Sequence, residues 1–107
     1  MNINITGKNI DLTEPIKNYI EEKMHKLDRY LVGVQPVEVD VRLIANKGKG
    51  QKWQEIDVTF SMPELVLKAE EKGEDIYEAI DLVQEKIERG IRDKKEKEID
   101  SRHNNLE

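Results

Sequence analysis

The sequence predicts an α+β fold of two layers, in which two helices cover one face of a four-stranded mixed sheet. Four short segments alternate apolar and polar residues, which is the pattern of half-buried strands. Two longer segments instead repeat apolar residues every three or four positions, as one face of a helix does. These segments follow the order β-α-β-β-β-α. Because each strand has only one apolar face, both helices are expected to pack on the same side of the sheet.

The first strand and the first helix come from the N-terminal part of the chain. Ile3 and Ile5 alternate with polar residues, which predicts a short strand. Thr13 suits the N-cap of the helix, and Pro15 suits its first turn because that position needs no backbone N–H. The predicted helix ends near Gly33. Its apolar stripe consists of Ile16, Ile20, Met24, Leu27 and Leu31.

Three further strands follow, each marked by strict alternation. Their inward-facing residues are Val37, Val39, Val41 and Leu43, then Ile56, Val58 and Phe60, then Leu65, Leu67 and Ala69. The connections between these strands are short, so neighbouring strands are expected to run antiparallel. The strand–helix–strand unit before them should cross over right-handed and leave its two strands parallel.

The second helix begins with a capping signal and changes character along its length. Asp75, with Glu78 three positions later, has the spacing of a capping box. The apolar stripe consists of Ile76, Ala79, Ile80, Val83, Ile87 and Ile91. The next stripe position is Lys94, so the distal part is expected to project beyond the sheet as a basic end. Residues 1–99 are predicted to form a single domain, and residues 100–107 a frayed tail, either linker or cloning remnant.

The composition argues against several classes of function. The chain has 107 residues, of which 36% are hydrophobic and 38% charged, which predicts one domain with a modest core. The lack of cysteine excludes disulfides, thiolate catalysis and cysteine-based zinc sites. With no signal-peptide pattern and no membrane-length apolar run, a cytoplasmic protein is expected. His25 and His103 have no catalytic partner at a suitable spacing, so no enzyme, metal, cofactor or small-molecule substrate is expected.

The net charge of −5 counts against a nucleic-acid partner, so the positions of the cations matter more than their number. The open sheet face is predicted to be acidic, because its outward residues include Glu38, Asp40, Glu55, Asp57 and Glu70. A sheet that reads RNA needs aromatic stacking residues instead. A polyanion is therefore expected on the helical side, at a hairpin tip or at the edges. The acidic face would suit a basic partner protein.

Three groups of cations are candidates for contacts to phosphate. Lys23 and Lys26 lie beside Tyr19 and Tyr30 on one flank of the first helix, where they either face phosphates or extend past tyrosines that border the core. The second group, larger than the helix dipole requires, consists of Lys86, Arg89, Arg92, Lys94, Lys95 and Lys97. The third forms a predicted hairpin tip and consists of Lys47, Lys49 and Lys52. Trp53 beside it either stacks on a base or covers apolar surface on the open face.

Four segments carry a family resemblance: NITGKN at residues 4–9, KMHKLDRY at 23–30, LVLKAEE at 65–71 and DIYEAIDL at 75–82. Across nearly its whole length the chain resembles the ribosome hibernation promoting factor and ribosome-associated inhibitor (protein Y) family. The resemblance implies a fold similar to a double-stranded-RNA-binding domain with an added first strand. It also implies binding to rRNA of the small ribosomal subunit at the decoding region. There the protein would occlude the mRNA and tRNA sites and silence translation in stationary phase.

The basic positions of the family match several residues of this chain. The matching residues are Lys23, Lys26, Lys86, Arg89, Arg92, Lys95 and Lys97, with Lys8 as a further match. Asp93, Glu96 and Glu98 interrupt a tail that is more continuously basic in the family. Long members add a domain that dimerises ribosomes, which is not recognised here, so the resemblance implies silencing without bridging and leaves self-association open. The alternative is a non-catalytic protein-interaction module that uses the acidic sheet face.

Overall fold

The computed structural model describes residues 1–45 and 53–105, with side chains described up to residue 96. The elements are β1 (Asn2–Lys8), α1 (Glu14–His25), a 3-10 turn (Asp28–Tyr30), β2 (Glu38–Ala45), β3 (Gln54–Met62), β4 (Leu65–Gly73) and α2 (Ile76–Asn105). The strands lie in the order β1-β2-β3-β4. β1 runs parallel to β2, and the other neighbours are antiparallel. The predicted α+β fold with a mixed four-stranded sheet is confirmed.

Both helices begin with the side-chain caps that the sequence indicates. The Thr13 hydroxyl accepts a hydrogen bond from the backbone N–H of Ile16 at 3.4 Å. The Asp75 carboxylate accepts one from the backbone N–H of Tyr77 at 2.9 Å. Each cap satisfies a donor that has no partner within the first turn of a helix. The start of each helix is therefore set locally.

One hydrophobic core lies between the helices and the sheet. The predicted inward residues of β2 and β3 are buried, namely Val39, Val41 and Leu43 of β2 and Ile56, Val58 and Phe60 of β3. Every predicted stripe residue of α2 from Ile76 to Ile91 is at most 5% exposed. In β4, Leu67 and Ala69 are only partly buried, as expected for a strand at the edge of the sheet. Burial on one face of each strand explains why both helices share one side.

The first helix ends earlier than predicted. α1 stops at His25, and Asp28–Tyr30 continue as a 3-10 turn. In a 3-10 turn residues three apart lie one above the other, so Tyr30 lies on the same side as the buried Leu27. Leu31 moves out of the stripe and is only half-buried. The tighter turn thereby directs Tyr30 toward α2.

The second helix is longer than predicted and projects beyond the sheet. At 1.5 Å per residue, α2 extends about 45 Å, whereas a nine-residue strand extends about 30 Å. Residues 100–105 are helical, although the loss of apolar periodicity predicted a frayed tail from residue 100. Lys and Glu are good helix formers, and no Gly or Pro interrupts α2 after Gly90. Despite this length, no helix in the described part of the chain is apolar enough to cross a membrane.

Candidate nucleic-acid interface

Asp81 of α2 holds two side chains of α1. Its carboxylate accepts a hydrogen bond from the Tyr19 hydroxyl at 2.6 Å and pairs with Lys23 at 3.0 Å. The Lys23 ammonium also lies 5.4 Å from the centre of the Tyr19 ring, and the Lys23 side chain is only 18% exposed. Lys23 is therefore engaged in the α1–α2 contact, which favours the structural interpretation of this flank. Lys26 remains exposed.

Glu88 has the same role two turns further along α2. Its carboxylate accepts hydrogen bonds from Arg29 at 2.7 Å and from the Tyr30 hydroxyl at 2.9 Å. The Arg29 guanidinium lies 4.8 Å from the centre of the Tyr30 ring, and the Lys95 ammonium lies 5.8 Å from it. Arg29, Tyr30, Glu88, Arg92 and Lys95 are called the Tyr30 cluster below. Arg29 was absent from the predicted site, and its position beside Tyr30 in the KMHKLDRY segment was the available signal.

Asp81 and Glu88 and the cations that they bind shift one another's pKa values. Desolvation acts to raise the pKa of Asp81, but the hydrogen bonds from Tyr19 and Lys23 lower it overall. The hydrogen bonds from Arg29 and Tyr30 lower the pKa of Glu88, and the nearby charge of Arg92 adds to this. Hydrogen bonding to these carboxylates correspondingly raises the pKa of Lys23 and of Arg29. Both carboxylates are therefore ionised at neutral pH and hold their cations in place.

The cations of α2 divide into two sets. Lys86 donates to the Glu70 carbonyl at 3.1 Å and pairs with the Glu71 carboxylate, so it joins α2 to β4. Arg89 and Arg92 are exposed on the helix surface. Lys94 is half-buried and Lys95 exposed. The side chain of Lys97 lies outside the described residues. The structure thus brings Arg92 and Lys95 together with Arg29, whereas Lys86 is used in the fold.

A cavity of about 340 Å³ opens next to the Tyr30 cluster. It lies between the segment after the 3-10 turn, the β3–β4 turn and α2. Its walls include Tyr30, Val34, Met62, Ile91, Lys94 and Lys95. The predicted next stripe position, Lys94, therefore borders a cavity where the packed core ends.

The open face of the sheet is not uniformly acidic, so the predicted acidic surface is corrected. Strand register places Glu38, Asp40, Glu55, Asp57 and Glu70 there, as expected. The same alternation also places Lys8, Arg42, Lys68 and Lys72 on this face. Lys72 pairs with Glu55 at 3.5 Å. Positive and negative charges are therefore interleaved, and repulsion of a polyanion from this face is weaker than the acids alone suggested.

Asp57 is the most perturbed group of the open face. One of its carboxylate oxygens is buried without a hydrogen-bond partner in the described structure. Burial raises the pKa of Asp57, and the charges of Glu55 and Glu70 raise it further. Oxygens of these three carboxylates lie within 4.8 Å of one another, an arrangement able to hold a hard cation, although exposed acids commonly cluster without one. No metal site was expected from the sequence.

Of the remaining predicted positions, Lys8 is described by the structure and lies apart from the Tyr30 cluster. Lys8 is on the open face, on the side of the sheet opposite the helices. The hairpin lysines Lys47, Lys49 and Lys52 lie outside the described residues. Trp53 lies just before β3 with its ring centre 5.2 Å from the Lys72 ammonium, so it contacts the open face.

His25 has an acidic partner that spacing did not suggest. Its Nδ1 atom lies 3.0 Å from the Asp28 carboxylate, in the segment where α1 passes into the 3-10 turn. Both side chains are more than half exposed. The pair therefore lies at the surface.

Comparison with known proteins places this fold in a family. A family model described as sigma 54 modulation protein / S30EA ribosomal protein matches residues 3–99. The ribosome hibernation promotion factor of Bacillus subtilis (strain 168) is 41% identical over 97 residues, which cover 91% of this chain and 50% of that protein. The protein of the same name from Staphylococcus aureus (strain COL) is 39% identical over 88 residues, covering 82% and 45%. The chain thus spans about half the length of these relatives.

Solved structures agree with the architecture. The N-terminal domain of Thermus thermophilus protein Y superposes with a TM-score of 0.74 at 27% identity, covering 85% of this chain and 96% of that one. A ribosomal subunit interface protein from Coxiella burnetii gives a TM-score of 0.75 at 21% identity, covering 89% and 98%, and supports the fold alone. The chain belongs to the sigma 54 modulation protein / S30EA ribosomal protein family, which confirms the resemblance found in its sequence.

Proposed function

We propose that this chain is a ribosome hibernation factor that binds rRNA of the small subunit at the decoding region and occludes the mRNA and tRNA sites. Membership of the family supports this proposal, as do two relatives named ribosome hibernation promotion factors. The protein would act by occupying the site, without chemistry and without a cofactor. Such a mode needs a rigid surface that matches folded RNA in shape and charge.

The single observation that carries the proposal is the Tyr30 cluster. It places Arg29 and Lys95 against the ring of Tyr30, and the charge of Arg92 near Glu88, on the helical side of the sheet. Glu88 fixes the arginine in position, so less conformational entropy is lost when a phosphate binds. Phosphate contacts made from a preorganised surface fix the register of a protein on RNA without reading its sequence.

The predicted cations then have different roles. Arg89, Arg92 and Lys95 are the main phosphate contacts, together with Arg29 and the exposed Lys26. Lys23 and Lys86 contribute by holding α1 and β4 against α2. The further predicted contacts in this proposal are Lys8, Lys94, Lys97, Lys47, Lys49 and Lys52. The mixed charge of the open sheet face gives less support to the alternative, a protein-interaction module that uses this face, than a purely acidic face would.

The test is cosedimentation with small ribosomal subunits over a range of salt concentrations. Replacing Arg92 and Lys95 together by Glu should weaken binding at least tenfold. Each lost contact should also lower the slope of log affinity against log salt by roughly 0.7–0.9. The matched control replaces Lys17 and Lys68 by Glu, which makes the same change in net charge outside the Tyr30 cluster. Equal losses in the two double variants would show that only net charge matters and would reject this surface.

A further inference from the structure

We infer that the cavity beside the Tyr30 cluster receives one unstacked nucleobase of the bound RNA, whose phosphate lies against Lys94 and Lys95. The inference rests on the proposed function and deepens it. Contacts to phosphate alone suit paired RNA, whereas a cavity for a base requires a nucleotide that has left its stack. The bound RNA would then have to present a single-stranded nucleotide at this point.

The size and the walls of the cavity fit a planar apolar ligand. Its volume of about 340 Å³ is in the range of sites for small molecules, about 300–1,000 Å³. Val34, Met62 and Ile91 supply apolar surface, and Ile91 is 2% exposed. Tyr30 supplies an aromatic wall. A base has flat apolar faces that pack well against such walls.

The charges around the cavity favour an anion at its mouth. Two lysines, Lys94 and Lys95, line it, and Glu64 is the only acid among its described lining residues. The Lys95 ammonium lies 5.8 Å from the centre of the Tyr30 ring, so aromatic wall and positive charge occur side by side. The amide of Gln35 also lines the cavity and can both donate to and accept from the polar edge of a base.

A nucleotide fits this arrangement better than an acidic peptide does. One nucleotide carries a flat apolar group and an anion within a single unit, which matches an apolar cavity bordered directly by lysines. A peptide would need two separate residues for the same contacts. The cavity is also continuous with the Tyr30 cluster through Tyr30 and Lys95, so a chain of phosphates can run from one to the other.

The first test uses the unmodified protein and methyl NMR. The probes are a single-stranded RNA of about ten nucleotides and a perfect duplex of the same sequence. The single strand should shift the methyl signals of Val34, Met62 and Ile91, and the duplex should leave them in place. If an acidic peptide with an apolar side chain shifts these signals and the single strand does not, the cavity binds protein and the inference is wrong.

The second test fills the cavity without changing charge. Val34→Phe should weaken binding to small subunits fivefold or more, the expected cost of losing about one stacked base. The salt slope should stay unchanged because no phosphate contact is lost. Val32→Phe is the matched control, since Val32 is 86% exposed and does not line the cavity. Thermal unfolding of both variants checks that each is folded.

The outcomes separate this inference from the proposed function. If the wild type does not bind small subunits at all, the proposed function is wrong. If the wild type binds and folded Val34→Phe binds as tightly as Val32→Phe, the cavity receives no base. If Val34→Phe does not fold, the methyl signals of the wild-type protein decide whether the cavity receives a base, because that test needs no variant.

Discussion

The guanidinium of Arg29 donates a hydrogen bond to the Glu88 carboxylate at 2.7 Å and so joins the 3-10 turn to α2. The two side chains differ in exposure, since Arg29 is 70% exposed and Glu88 only 17%. The Glu88 carboxylate is thus mostly buried, and the Arg29 side chain covers it from the solvent side. Arg29 also donates to the Tyr30 hydroxyl at 2.8 Å. A guanidinium has five N–H donors, so those that face neither Glu88 nor Tyr30 can donate to a phosphate. The pair therefore positions a cation for binding and does not simply neutralise it.

Replacing Arg29 should test this role directly. We expect Arg29→Ala to weaken binding to small subunits severalfold and to lower the salt slope by roughly 0.7–0.9, because one phosphate contact is lost. Arg29→Lys keeps the charge but loses the planar fork, so it should restore the salt slope and only part of the affinity. Cosedimentation at several salt concentrations measures both quantities. An unchanged slope in Arg29→Ala would place Arg29 outside the interface.

We expect the stabilising effect of Asp81 and Glu88 to be lost at acidic pH. The pKa values of Asp81 and Glu88 are lowered from ordinary values of 3.8 and 4.5 in the folded state. Between the folded and the unfolded pKa values, the unfolded chain therefore binds more protons than the folded protein. The stability that Asp81 and Glu88 contribute is complete above pH 4.5 and is lost as pH falls through their folded pKa values. Urea unfolding between pH 7 and pH 3 should show this loss. Asp81→Asn combined with Glu88→Gln should lower stability at pH 7 and lose less on acidification.

The matched control for that experiment uses two acids of α2 that make no ion pair with the side chains that the structure describes. Glu78 and Glu85 are exposed on the same helix, so Glu78→Gln with Glu85→Gln removes the same charge. This control should follow the wild type on acidification. If both double variants depend on pH alike, the carboxylates of Asp81 and Glu88 do not stabilise the α1–α2 contact.

The ionised Asp57 carboxylate is expected to destabilise the folded protein, whereas those of Asp81 and Glu88 stabilise it. Burial and neighbouring acids raise the pKa of Asp57, so its ionisation opposes folding at neutral pH. Asp57→Asn keeps the shape, and its amide can donate to Glu55 or Glu70. We expect the free energy of unfolding at pH 7 to rise by about 1 kcal/mol, and the gain to disappear below the ordinary pKa of 3.8, where Asp57 is protonated in both states. The control Asp40→Asn, on the same face, should change stability by less.

The sequence was sufficient for the parts of this molecule that depend on local patterns. The caps at Thr13 and Asp75 and the buried stripe from Ile76 to Ile91 follow from spacing and from the chemistry of side chains. The directions of the strands follow from the short connections after β2 and from the crossover that joins β1 to β2 through α1. These features can be predicted without knowing which helices and strands contact one another.

What the sequence left open depends on contacts between distant segments. Arg29 and Glu88 lie far apart in the chain, and only the 3-10 turn after α1 brings them together. The periodic stripe predicted a longer α1, whereas α1 ends at His25 and Tyr30 lies in the 3-10 turn. The charge of the open face was misjudged because the acids were considered without Arg42, Lys68 and Lys72 on the same rows. A frayed tail was predicted from residue 100 because apolar periodicity is lost there, whereas helix propensity does not depend on that periodicity and α2 continues to Asn105.

Gly90 of α2 lies close to the Leu67 side chain of β4. A Cβ atom added at Gly90 would lie 3.0 Å from both terminal methyl carbons of Leu67, closer than ordinary van der Waals contact. In a free helix, alanine is more favourable than glycine by about 1 kcal/mol. Here that gain opposes the cost of moving the Leu67 side chain. Gly90→Ala alone should therefore raise stability by much less than 1 kcal/mol, or lower it.

A double-mutant cycle separates the two contributions. Leu67→Ala removes the methyl groups that a Cβ at position 90 would meet, at a cost in stability from lost packing. In the Leu67→Ala background, Gly90→Ala should then stabilise the protein by the full amount of about 1 kcal/mol. The difference between the two backgrounds, measured by urea unfolding, is the energy of the close contact. If Gly90→Ala has the same effect in both backgrounds, α2 and β4 do not meet at Leu67, and the close approach of helix to strand is excluded.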